Sequence, residues 1–113
     1  MAVTHKRLKT GVQLGTGETT ITSGAANTVT RIDKLVFTNT SSSAVTVTVY
    51  YYGSGDAAAA DTTLVKDKNI GAGRSWICVE AENQRLDESA VLSALASAAT
   101  AVTVSCSGLE IVN

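Results

Sequence analysis

The 113 residues carry nine Lys and Arg against ten Asp and Glu, and their 44% apolar content is mostly Ala and Val, with one Phe, one Trp and one Met. A chain of this length builds one domain that buries roughly 65% of its extended surface, with a shallow core that neighbouring subunits would deepen. A net charge of −1 gives no global field for nucleic acid or an anionic membrane, and with no signal-peptide pattern or long apolar run the expectation is a protein kept in a cytosol-like compartment.

Residues 1–17 read as a basic arm ahead of a single domain over 18–113. His5, Lys6, Arg7 and Lys9 give the arm about +3, and Gly11, Gly15 and Gly17 punctuate it. Such a segment is either a solvated terminus or an arm that docks on an acidic neighbouring surface. Thr19 to Thr22 is a short β-prone run. Thr28 to Thr38 follows as a long strand whose apolar positions, Val29, Ile32, Leu35 and Phe37, change phase, which predicts a β-bulge near Ile32 to Lys34.

The polar turn Asn39 to Ser43 is expected to join that strand to the next as a hairpin. Asn39-Thr-Ser41 matches a glycosylation acceptor, and with no signal-peptide pattern in these residues the expectation is a chance match. Ala44 to Tyr50 alternates strictly, with Val45, Val47 and Val49 on one face and Thr46, Thr48 and Tyr50 on the other. Continuing the alternation sends Tyr51 to the valine face and leaves Tyr50 and Tyr52 outward.

Gly53 to Asp61 is a surface loop, strand character resumes over Thr62 to Val65, Lys66 to Asn69 is charged, and Ile70 to Gly73 punctuates. Ser75 to Val79 is apolar on both faces, which suits a strand buried on both sides or one touching another subunit. Residues 88–98 are open between helix, favoured by Ala, and strand, with Val91 and Leu95 inward. Thr100 to Ser107 alternates again, and Leu109 to Val112 either continues that strand or forms a terminal one. The total, about seven to nine strands at roughly 8–12-residue spacing, is that of an all-β antiparallel sandwich or jelly roll.

Chemistry is sparse. The one histidine, His5, lies in the arm, so no Ser-His-Asp or Cys-His set can be built on a rigid scaffold. Cys78 and Cys106 are 28 residues apart without a second ligand beside either, and read as small buried apolar residues. The glycine pairs are turns rather than phosphate cradles, and Asp56 and Asp61 lack the oxygen density of a calcium loop. These residues point to no enzyme, no cofactor and no metal. Tyr50 and Tyr52 are a weak nucleic-acid signal without interleaved cations and suit a subunit contact better; Trp76 is open between core and interface.

Three pieces, TNTSSSAVTVTV (38–49), TTLVKDKNIGAG (62–73) and AVTVSCSGLEI (101–111), within residues 19–112, resemble small structural proteins of tailed bacteriophages. The resemblance implies a β-sandwich or jelly-roll virion component that acts by binding, assembled in the host bacterial cytoplasm. It tips residues 90–96 towards strand. It further implies a homo-oligomer, dimer or trimer, that binds the major capsid protein or neighbouring virion subunits. A capsid decoration (cement) protein is the leading expectation, a head–tail connector, neck or tail component the alternative, and a glycan-binding module using Tyr50, Tyr52 and the Gly53 to Asp61 loop a third. The expected contact residues are Lys6, Arg7, Lys9, Tyr50, Tyr52 and Trp76, with no nucleic acid and no membrane as partner.

Overall fold

The computed structural model describes residues 2–112. Nine strands follow one another in those residues: β1 (Ala2–Gln13), β2 (Thr19–Ser23), β3 (Thr28–Asn39), β4 (Val45–Tyr52), β5 (Thr63–Ile70), β6 (Ser75–Ile77), β7 (Arg85–Leu86), β8 (Val91–Ala96) and β9 (Val102–Val112). They form two antiparallel sheets, one in the order β1-β9-β3-β6 with β7 also on β3, the other in the order β2-β8-β4-β5. Among the described residues no helix is long and apolar enough to cross a membrane.

The sheets pack face to face because each has one apolar side. Ile32, Leu35, Phe37, Val102, Val104 and Cys106 come from the first, Val45, Val47, Val49, Leu92 and Ala94 from the second, and all are buried. The valine alternation of β4 therefore points where the sequence places it. Thr48, on its other face, is buried as well, because its hydroxyl meets the bulged residue Asp67 of β5. The bulge falls in the charged stretch Lys66 to Asn69, which is part of β5. The phase change in β3 is a bulge too, with the register against β9 slipping between Ile32 and Lys34.

Four expectations are corrected. Residues 2–13 are an edge strand paired with β9 from Ala2 opposite Val112 to Gln13 opposite Thr103, not an arm outside the sandwich. Gly11, at φ +72°, and the register slip between Lys9 and Val12 bend the strand without ending it, while Leu8 and Leu14 anchor it to the core. β3 and β4 are not a hairpin, because the turn between them carries the chain from one sheet to the other.

Asn39 is the reason. Its side chain, 0% exposed, donates from Nδ2 to the Ser43 and Ile70 carbonyls at 2.8 and 2.9 Å and accepts the Ser41 N–H at 2.9 Å. The turn is thereby tied to the end of β5 in the opposite sheet. Its burial also keeps it from serving as a glycan acceptor in the folded chain.

Ser75 to Val79 is not buried on both faces. Only Ser75–Ile77 pairs with β3, as an edge, and Ile77 and Val79 are exposed. Residues 91–96 are strand, lying between β2 and β4, where burial of Leu92, Ser93 and Ala94 outweighs the helix preference of Ala; Leu92, Ala94 and Ala96 face the core, not Val91 and Leu95, which share the outer face with Tyr52 and Thr48. Leu109 to Val112 continues β9, so Cys106 sits mid-strand, whereas Cys78 follows β6 and opens the short 3₁₀ turn Val79–Ala81. Both thiols are buried and unpaired.

Candidate functional site

The residues expected to make contacts are spread over the molecule instead of meeting in one patch. Lys6, Arg7 and Lys9 lie on β1, at the outer edge of the larger sheet. Residues 2–7 are exposed on both faces of that strand. Lys6 pairs with Glu110 at 3.1 Å, a surface contact of small energetic weight, while Arg7 and Lys9 have no carboxylate within ion-pair distance among the described residues.

Tyr50 and Tyr52 sit on β4 in the other sheet, half-buried. The Tyr52 hydroxyl donates to Glu18 Oε2 at 2.6 Å, and Ser93 donates to the same oxygen. Those two bonds, Ser93 first, hold the Glu18 carboxyl below its ordinary pKa, and the Glu18 bond in turn raises that of Tyr52. The polar tip of Tyr52 is thus engaged within the chain. Trp76 resolves towards the core: half-buried on β6, it stacks on Phe37 with ring centroids 5.3 Å apart, and Lys68 Nζ stands 5.7 Å above it.

A cleft of about 370 Å³ opens at the end of the sandwich, lined among others by Tyr51, Tyr52, Asp56, Arg85, Asp87 and Glu88. Tyr51 points to the valine face, as its position in the alternation requires, and its hydroxyl donates to the Arg85 carbonyl. Burial and then the nearby Asp87 carboxylate raise its pKa. Arg85 Nε donates to Asp87 Oδ1 at 2.8 Å, and Glu88 Oε1 accepts the Asn27 N–H. The lining therefore offers aromatic surface with hydrogen-bonding groups of both signs, a set that can hold a polyhydroxylated ligand. Asp56 and Tyr52 belonged to the expected loop site; Arg85, Asp87 and Glu88 are distant in sequence and are not among the expected site residues.

Among the described residues no group of three or more His, Cys, Asp or Glu side chains converges to hold a metal ion. Fold and surfaces together define a two-sheet antiparallel β-sandwich. Comparisons with protein-family models, curated proteins and solved structures give no match to the chain.

Proposed function

We propose that this chain is a structural protein of a tailed-bacteriophage virion, a capsid decoration (cement) protein that binds the major capsid protein or neighbouring virion subunits. One observation carries the reading. The large apolar side chains left exposed, Val3 (52%), Ile77 (45%), Val79 (62%) and Val112 (41%), all belong to the larger sheet or to the turn leaving β6. Apolar surface gathered on one sheet fits contact with other subunits. Many weak contacts repeated over a symmetric shell add up to firm attachment. The protein works by binding alone, as a dimer or trimer on the assembled particle.

The test is heat-induced genome release from particles with and without the protein. Release at a lower temperature from depleted particles is expected, and unchanged capsid stability overturns the reading. Copy number per particle, counted by quantitative mass spectrometry, separates a shell protein from a head–tail connector, neck or tail component.

A glycan-binding module is a second reading, favoured by the cleft beside Tyr51 and Tyr52. A glycan array without binding, or binding indifferent to Tyr52→Ala, removes it.

A further inference from the structure

The larger sheet ends in two edges of opposite charge. β1 carries Lys6, Arg7 and Lys9 and no carboxylate. At the other end, the chain from Ser75 to Asp87 carries Glu80, Glu82 and Asp87 against one cation, Arg85 of β7, whose Nε is bonded to Asp87 Oδ1 at 2.8 Å, and it presents exposed Ile77 and Val79. Arg74 lies before β6, at the end of that strand remote from the carboxylates.

The two edges also match in height along the strands. Register across the sheet sets Lys6 in the row of Gly108 and Ile32, Arg7 in that of Ser107 and Lys34, and Lys9 in that of Cys106 and Leu35. On the opposite side of β3, the Leu35 carbonyl accepts the Cys78 N–H and the Ile32 carbonyl accepts the Asn83 N–H. Residues 78–83 therefore span the same rows as residues 6–9.

Directions agree as well. β1 is antiparallel to β9, β9 to β3 and β3 to β6, so β1 runs opposite to β6. A second copy set beside the first, without sliding along the strands, brings its β1 antiparallel to β6. In that arrangement Arg7 and Lys9 face Glu80 and Glu82, and exposed Ile77 lies near the row of Val12.

We propose that β1 of one copy of this chain docks beside the β6 edge and the Val79–Ala81 turn of a second copy, extending the larger sheet head to tail. A two-fold pairing of β1 with β1 is disfavoured because it sets the same cations against one another. A head-to-tail contact uses different patches on the two partners, so it closes into a ring when the sheet twist permits and grows as a filament when it does not. Pairing at an open edge also answers the hazard of unsatisfied main-chain groups in a chain with no proline to block it. The inference rests on the two sheet edges and not on attachment to a capsid, although a monomer would also remove the dimer or trimer of the proposed function.

Sedimentation of the full chain over a concentration series tests it. Wild type is expected to self-associate, and more weakly as salt rises. Arg7→Glu with Lys9→Glu, and separately Glu80→Lys with Glu82→Lys, should each raise the dissociation constant by about tenfold or more. Mixing the two variants should restore association, because every β1 then faces a turn of opposite charge. Circular dichroism checks that each variant folds, and Val79→Asp serves as a second probe of the same edge should either double variant fail. A monomer at every concentration, or wild-type association of a folded Glu80→Lys, Glu82→Lys variant, overturns the proposal.

Discussion

Tyr52 and Glu18, 34 residues apart, are joined by a 2.6 Å hydrogen bond from the phenol to a carboxylate oxygen that Ser93 also engages. The bond ties the residue preceding β2 to β4 and β8, and it makes part of the sandwich's stability depend on a charged carboxylate. Glu18→Gln is expected to lower stability at neutral pH. Since the folded-state pKa is depressed, the carboxylate's contribution is present above the unfolded value of 4.5 and disappears as pH falls through the folded value. The gap between wild type and variant in urea denaturation should therefore be wider at about pH 7 than at about pH 3; a gap of equal size at both sinks the assignment.

Asn39→Ala removes two donor contacts, the one to Ile70 buried, and the acceptor for Ser41 at the point where the chain crosses between sheets. The Ile70 carbonyl is left without this partner in a closed interior, and a loss of about 3 kcal/mol is expected. Urea denaturation measures it, and a loss below about 1 kcal/mol would mean the turn holds its course without the side chain.

Gly108 is needed for its lack of a side chain. A methyl group there would collide with the Arg31 carbonyl and come within 2.9 Å of Leu8 Cδ1. Gly108→Ala is expected to cost about 2 kcal/mol or more, by prying β9 from β3 or displacing β1. Gly17→Ala, with nothing within 4 Å of the added atom, should change stability by less than about 0.5 kcal/mol. Thermal melts of both variants decide the matter.

The two thiols should be inert in the folded protein. Burial pushes Cys78 up to about 11 and Cys106 up to about 12, and the thiolate, not the thiol, is the nucleophile. A disulfide reagent at neutral pH should leave the native chain unlabelled and titrate both cysteines after unfolding. Rapid labelling of native protein contradicts the burial described.

Much of the fold is legible before any coordinates are considered. Val45, Val47 and Val49 announce an inward face, and the phase change from Ile32 to Leu35 announces a bulge, because both depend on the two-residue repeat of a single strand. Tyr51 and Tyr52 are assigned their opposite faces by the same rule. The contact surfaces are much less legible. Glu18 as the partner of Tyr52, and Arg85 and Asp87 as neighbours of Tyr51, are joined only through sheet pairings that no local pattern encodes.

The sequence by itself determines that this is an antiparallel all-β chain with a thin Ala and Val interior, since alternation and composition act residue by residue. Tertiary structure alone decides that residues 2–13 close the edge of β9, that β3 and β4 lie in different sheets, and that the larger sheet ends in a basic edge and an acidic one. Main-chain hydrogen bonds are chemically alike in every strand, so the choice among possible partners falls to long-range contacts such as those of Asn39, Leu8 and Leu14.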